Sequence, residues 1–284
     1  MNIGRFLVEH LSEGKFKVYP DGSFQKVKNS KPRKSLGTPL SGVRTYAATI
    51  GIDPVLIRDH NRCILLDTGL GWGMDTQSPY SDVSNIVSNL RIFGIDPSEV
   101  TDVILSHLHF DHAAGSTYVA KNSETTLSLP NATYHVQRRE WEHALSRLNK
   151  SKSVAGAGYQ LDELYRLAAD DRFQFIEKDY QRILPGIETI WTGGHTPGHQ
   201  IVRVSSENEV GYYMGDLVPS DSQLNHYAMK KADLHPQQAK QMKTVILRQA
   251  LEEDAYLLFY HSLYTKHGKI TKDKNRKYAL SAID

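Results

Sequence analysis

The chain has 284 residues, 39% of them hydrophobic and 23% charged, an ordinary globular composition that buries its own core without needing a disulfide or a metal merely to fold. Lysine and arginine number 34 against 32 aspartates and glutamates, a net charge of +2, which excludes the strong basic excess of a dedicated nucleic-acid binder. The single cysteine, Cys63, excludes an intrachain disulfide. The sequence also lacks a signal-peptide-like start and an apolar run of about 18 residues, so a cytoplasmic protein with no membrane span is expected.

Residues 16–19 and 45–50 carry the aromatic and β-branched residues of strands. Between them, residues 26–34 hold five basic residues and no acid, and read as a solvated loop. Residues 54–58 and 62–67 flank the polar turn Asp59-His60-Asn61 and read as a hairpin. The second of these runs leads into a glycine-rich loop. Residues 82–93 place Val83, Ile86, Val87 and Leu90 at helical spacing, with Gly94 as a stop and Pro97 restarting the chain. Residues 100–105 form an apolar run too short for an ordinary helix, so strand, helix and strand follow one another as a βαβ unit.

Farther on, 132–136 reads as a strand and 138–148 and 161–169 as helices. The small, polar stretch 151–159 between the helices is a candidate lid. Residues 186–191, 200–204 and 210–214 form a late strand cluster. Pro236 opens a helix to residue 251, and 255–260 is a last buried strand. The basic tail with Lys272, Lys274, Arg276 and Lys277 reads as exposed. Helix and strand signals interleave throughout, without repeat or linker, so one α/β domain over residues 1–284 is expected.

There are 13 histidines, and they are clustered. His107, His109, Asp111 and His112 place four metal-ligand side chains within six residues, directly after a strand. Imidazole and carboxylate suit zinc and related divalent ions. Alternate residues of an extended loop share a direction, so His107 and His109 pair towards one ion, and where the loop curls after them Asp111 and His112 form a second pair for another. Three later strand ends repeat the theme: His195 and His199 follow 186–191, Asp216 follows 210–214, and His261 follows 255–260. Glycines beside the first two let the backbone approach a bound ion. The other histidines, 10, 60, 135, 143, 226, 235 and 267, have no such context and read mostly as surface residues.

The order HxHxDH, GHTPGH, GD and a late histidine resembles the metallo-β-lactamase superfamily, over roughly residues 67–261. The resemblance implies an αββα sandwich of two mixed β-sheets flanked by helices, with a dinuclear metal site at one edge of the sheets. It implies that His107, His109 and His195 hold one ion, Asp111, His112 and His261 hold the other, and Asp216 bridges them. Asp67 matches the family's first-motif aspartate, with a role in orienting a ligand histidine and a turn cap as the alternative. His199 is placed in the same supporting layer, with a plain structural role as its alternative. The implied cofactor is two divalent ions, zinc first, with manganese, iron or cobalt also accepted by this donor set.

The implied reaction is attack on an ester by a hydroxide bridging the two metals, with Asp111 carrying a proton to the leaving group. Departures within the superfamily narrow the choice. No cysteine stands at the second metal and Asp216 is present, which disfavours β-lactam hydrolysis. His109 stands where diiron oxidoreductases carry glutamate. SHLHFDHAAG and GHTPGHQ resemble the N-acyl homoserine lactonase branch most, beside glyoxalase-II-like thioesterases. That lactonase branch often has a tyrosine three residues after the bridging aspartate. Here the position is Pro219, and Tyr227 is the candidate replacement, with His226 beside it in the pocket. The expected substrate is a small ester, a lactone first, with a thioester or phosphoester hydrolase as the alternative. From another class, the alternative is a mononuclear iron oxidoreductase resembling persulfide dioxygenases. No nucleic acid or membrane partner is expected, and self-association as a homodimer stays open.

Overall fold

A computed structural model of the chain describes residues 1–19, 23–27, 48–71, 86–119, 124–148, 158–159, 161–230 and 232–281. The chain begins with β1 (Asn2–Ile3) and β2 (Phe6–His10), followed by β3 (Gly14–Val18), β4 (Phe24–Lys26) and β5 (Ala48–Ile52). The hairpin β6 (Val55–Arg58) and β7 (Cys63–Leu66) falls where the polar turn predicted it. Next come α1 (Ile86–Ile92), β8 (Asp102–Ile104) and the single-turn α2 (Phe110–Ala113). Strands β9 (Thr117–Val119), β10 (Thr125–Leu127) and β11 (Thr133–Gln137) lead to the helices α3 (Arg138–Leu148) and α4 (Leu161–Ala169). The late strands are β12 (Phe173–Ile176), β13 (Tyr180–Leu184), β14 (Ile187–Trp191), β15 (Gln200–Ser206) and β16 (Glu209–Tyr213). Helix α5 (Pro236–Glu252), β17 (Tyr256–Leu258), β18 (His267–Lys272) and β19 (Tyr278–Ser281) complete the order.

Two seven-stranded sheets organise the molecule, in the orders β1-β2-β6-β7-β8-β11-β12 and β13-β14-β15-β16-β17-β18-β19. Both are mixed: β7, β8, β11 and β12 run parallel, as do β16 and β17, and the remaining pairs are antiparallel. The strand period of two sorts their side chains into layers. In β7, Ile64 and Leu66 face the second sheet, while Cys63 and Leu65 face the helices α1, α3 and α4. In the second sheet, Tyr213 and Leu258 meet the same inter-sheet core, while Tyr212 and Leu257 pack under Ile246, Leu247 and Ala250 of α5. The result is helix, sheet, sheet, helix, as expected. A separate three-stranded sheet, β4-β3-β5, stands beside this sandwich. Among the described residues no helix is long and apolar enough to cross a membrane.

The helix read over 82–93 is described from Ile86, and its stop is as predicted: Gly94 has φ 71° and its N–H bonds the Arg91 carbonyl at 3.0 Å. Residues 1–10 carry β1 and β2 at the edge of the first sheet, an element the sequence did not announce. In the basic tail Lys272, Lys274, Arg276 and Lys277 are exposed as expected, and the segment forms a hairpin, β18–β19, that closes the second sheet, with Gly268 and Ile270 buried. Most of 26–34, the start of the helix at Val83, and 151–157 of the candidate lid lie outside the described residues.

Candidate metal centre

The expected ligands, and Asp67 behind them, leave the C-terminal ends of strands at one edge of the two sheets: Asp67 after β7, 107–112 after β8, His195 after β14, Asp216 after β16 and His261 after β17. Open α/β sheets bind ligands at that end of their strands. In the extended stretch after β8, Leu108 points into the outer core and is fully buried, so His107 and His109 turn the other way together. Helix α2 then starts at once and swings Asp111 and His112 round to a second position.

His107, His109 and His195 form one trio of ligand atoms lying within 4.8 Å of one another, and Asp111, His112 and His261 form another. His109 Nδ1 lies 2.9 Å from His107 Nε2 and 3.1 Å from His195 Nε2. In the second trio, His112 Nε2 lies 3.2 Å from His261 Nε2, and Asp111 Oδ2 lies 3.6 Å from His261 Nε2. Asp216 stands between: Oδ2 is 3.1 Å from His195, and Oδ1 is 3.4 Å from His112 and 3.2 Å from His261. All seven expected ligands are therefore brought together.

The outward nitrogens fix which atom faces inward. His112 Nδ1 donates to Asp67 Oδ2 at 2.7 Å, and His195 Nδ1 donates to Asp233 Oδ1 at 3.0 Å. His261 Nδ1 donates to the Gly51 carbonyl at 2.8 Å, and His107 Nδ1 to Ser106 Oγ at 3.0 Å. Four imidazoles so aim Nε2 at the cluster, where Asp216 Oδ1 is buried against those of His112 and His261. Lone pairs held this close repel one another, and a cation between them satisfies all at once, so the donor set fits divalent metal.

Charge follows the same geometry. Burial, then the neighbouring histidines, hold His107 and His109 well below the ordinary imidazole range. Burial also opposes charge on His112 and His261, but the surrounding carboxylates, Asp111, Asp67 and Asp216 for the first and Asp216 foremost for the second, outweigh it and raise both. Burial opposes ionisation of Asp216 too, yet His261, His195 and His112 hold its carboxyl well below the usual range. Metal binding to this set therefore displaces protons and strengthens as pH rises.

Asp67 is fully buried at φ 56°, a left-handed conformation tolerated by aspartate. It accepts hydrogen bonds from Ser106 N–H at 2.6 Å, Ser106 Oγ at 2.6 Å and the Tyr213 hydroxyl at 2.5 Å, as well as from His112. His199 stands behind the cluster: its Nε2 accepts the Asp216 N–H at 2.9 Å and its Nδ1 donates to Thr192 Oγ1 at 2.6 Å. The glycines beside the site are closely packed. A Cβ on Gly215 would lie 2.8 Å from the His199 ring, and one on Gly194 would lie 2.6 Å from the Ala239 backbone.

The cluster floors a cleft of about 630 Å³. Val18, Phe24 and Ile50 of the small sheet form an apolar wall, and Pro219 and the polar Ser220 and Ser222 also line the cleft. Tyr227 and His226 do not line it: Tyr227 sits against Lys243 in a minor cavity beside α5, and His226 is exposed. Tyr227 is thus in no position to replace the tyrosine missing at Pro219. Among the remaining histidines, His60 and His235 are exposed as expected, but His135 is buried and bonded to Asp102 at 2.8 Å. Cys63 is buried.

Several supporting groups escaped the sequence reading. Asp233 has no motif around it. Lys230, whose Nζ donates to the Asp216 carbonyl at 2.7 Å, lies in a charged stretch. Tyr260, one residue before His261, stacks on His112 at 4.1 Å and donates to the Asp111 carbonyl. Glu140 sits unremarked in a helix. Only adjacency to His261 offered a signal, and only for Tyr260.

The sequence pattern of the metallo-beta-lactamase superfamily matches residues 51–261. N-acyl homoserine lactonase AiiA of Bacillus thuringiensis subsp. kurstaki is 32% identical over 127 residues, 45% of this chain and 42% of that protein. The matched part of the chain thus spans less than half the length of that relative. A probable metal-dependent hydrolase from Staphylococcus aureus superposes with a TM-score of 0.76 at 24% identity, covering 100% of this chain and 99% of the other. AidC, a dizinc quorum-quenching lactonase solved with a product, N-hexanoyl-L-homoserine, superposes with a TM-score of 0.72 at 21% identity, covering 100% and 97%. At these identities the structural likeness shows the fold.

Proposed function

The chain belongs to the metallo-beta-lactamase superfamily, and from that membership and the seven-residue cluster we propose that it is a dinuclear metal-dependent hydrolase that opens lactones. The observation carrying the proposal is Asp216, whose two carboxylate oxygens face different trios, at 3.1 Å from His195 and 3.2 Å from His261. On this reading His107, His109 and His195 would hold one ion and Asp111, His112 and His261 the other, with Asp216 available to both. Zinc is the ion proposed, since nitrogen and oxygen donors with no thiolate suit it, alongside manganese, iron and cobalt. When bound, two such ions acidify a shared water and polarise the acyl oxygen under attack.

The rest of the work falls to the chain itself. Asp67, Asp233, Ser106 and the Gly51 carbonyl hold the histidine tautomers, so no imidazole has to reorient during turnover. Asp111 lines the cleft and is placed to carry a proton to the leaving oxygen. Val18, Phe24 and Ile50 give an acyl chain an apolar surface. Kinship with acyl-homoserine lactonases favours a lactone over a thioester or phosphoester. The lone buried Cys63 favours work in the reducing cytoplasm.

The test is ring opening of a long-chain N-acyl homoserine lactone by metal-replete protein, followed by proton release. Turnover abolished by a chelator is the expected result. Failure on lactones with turnover of thioesters or phosphoesters would replace the substrate and keep the metal chemistry.

A further inference from the structure

Glu140 lies in the first turn of α3, is fully buried, and belongs to no motif. Its Oε1 accepts the Leu108 N–H at 3.1 Å and the Tyr159 hydroxyl at 3.3 Å. Its Oε2 accepts the Thr196 hydroxyl at 2.6 Å and the Gly198 N–H at 3.0 Å. Leu108 separates His107 from His109, Thr196 follows His195, and Gly198 precedes His199. Tyr159, the fourth donor, lies with its ring 5.0 Å from that of His109. One carboxylate therefore ties together the two loops that carry His107, His109 and His195. The fit is tight: a Cβ on Gly198 would come within 2.3 Å of the Glu140 side chain and 2.4 Å of its backbone nitrogen.

Every partner of Glu140 is a donor, so only an acceptor at both oxygens satisfies the site. Burial opposes the charge and raises the carboxyl, while Thr196 and the backbone N–H groups of Leu108 and Gly198 pull it back. The other trio is braced elsewhere, His112 by Asp67 and His261 by the Gly51 carbonyl. Asp67 also reaches His107 through Ser106 Oγ, whereas the four donors to Glu140 all lie on or against the loops of the first trio.

We propose that Glu140 is a positioning residue dedicated to the first metal position, setting the spacing of His107, His109 and His195 without touching ion or substrate. The inference rests on the dinuclear reading above. An amide at position 140 would turn an NH2 towards groups that are themselves donors, prising the two loops apart. Loss of such supporting groups commonly lowers metal affinity about 10–100-fold.

The experiment measures zinc bound per chain during titration with a chelator, in wild type, Glu140→Gln and Asp67→Asn, with cobalt(II) absorption as a second probe. Wild type is expected to hold two zinc ions. Glu140→Gln is expected to lose affinity at one site by about 10–100-fold and keep the other within about threefold. Asp67→Asn, whose carboxylate holds His112 directly and His107 through Ser106, is expected to weaken both sites, in contrast to the one-site loss of Glu140→Gln. Thr196→Val, which removes a single donor, is expected to weaken the same site as Glu140→Gln by a smaller factor, and it carries the test if Glu140→Gln does not fold. Equal weakening of both sites by Glu140→Gln would reduce the residue to general scaffolding and overturn the inference. Two ions in wild type with unchanged affinities in Glu140→Gln and Thr196→Val would overturn it alone. Fewer than two ions in replete wild type would overturn the dinuclear reading along with it.

Discussion

Asp216 reaches His195 Nε2 with Oδ2 at 3.1 Å and His261 Nε2 with Oδ1 at 3.2 Å, so one side chain spans both halves of the cluster. Its position is doubly fixed, by the His199 ring on its N–H and by Lys230 on its carbonyl. Asp216→Ala removes a donor from both metal positions while leaving the fold's cores untouched. The expected outcome is loss of at least one metal per chain and a fall in lactone turnover of at least about a hundredfold. Metal analysis beside initial rates checks it. Both metals retained with normal turnover would remove the bridging role.

Lys230 makes a second, subtler prediction. Its ammonium also lies 3.7 Å from Asp233 Oδ1, the buried oxygen that accepts the His195 Nδ1–H. It therefore neutralises the carboxylate that orients one ligand and anchors the backbone of another. Lys230→Met leaves Asp233 buried without a counter-charge, a cost of the order of 1–3 kcal/mol. The protein is expected to lose activity to a chelator about tenfold faster than wild type. Lys240→Met, an exposed neighbour on α5, is expected to behave as wild type.

The legibility of this protein divides along physical lines. His107, His109, Asp111 and His112 are contiguous, so their chemistry shows without any knowledge of the fold. Asp216 and His261 are single residues whose meaning came from order along the chain. Glu140 was illegible: a glutamate in RREWEHALSRL looks like the solvent face of an amphipathic helix, and its partners Leu108, Thr196 and Gly198 lie 32, 56 and 58 residues away. Asp233 and Lys230 were hidden for the same reason. The β18–β19 hairpin was masked by its own lysines, because a sheet edge that faces water on one side carries charge there. Tyr227 misled because nearness in sequence to Asp216 does not give access to the cleft.

His10 links the fold to pH. Its ring is stacked on His267 at 5.2 Å, and burial, His267, Lys266 and the N-terminal amine together lower its pKa to about 3. Since the folded value lies below the unfolded one, the unfolded chain binds the extra proton. Stability is then fully present above about pH 6.5 and declines towards pH 3, by at most about 1.4 kcal/mol per pH unit. Denaturant midpoints at pH 7.5 and 5.5 in wild type and His10→Gln isolate this residue from the other histidines. The wild type is expected to lose about 1 kcal/mol more than the variant over that interval. Parallel losses would mean that His10 titrates alike in both states.

The cleft's apolar wall predicts a chain-length dependence. Val18, Phe24 and Ile50 come from three adjacent strands of the small sheet, and Phe24 meets Phe110 edge-on at 5.0 Å, one residue from His109. The wall thus rises from the metal floor, and an acyl chain leaving the lactone ring runs along it. Each methylene removed from water contributes about 0.8 kcal/mol, or roughly a fourfold gain in kcat/KM, until the wall is covered. Ile50→Asp puts a charge on that surface and is expected to flatten the profile, cutting kcat/KM for a decanoyl substrate far more than for a butanoyl one. The metal ligands are untouched, so kcat for the short substrate serves as the internal control. A wild-type profile that is flat from butanoyl to decanoyl would place the acyl chain in solvent and take this wall out of substrate recognition.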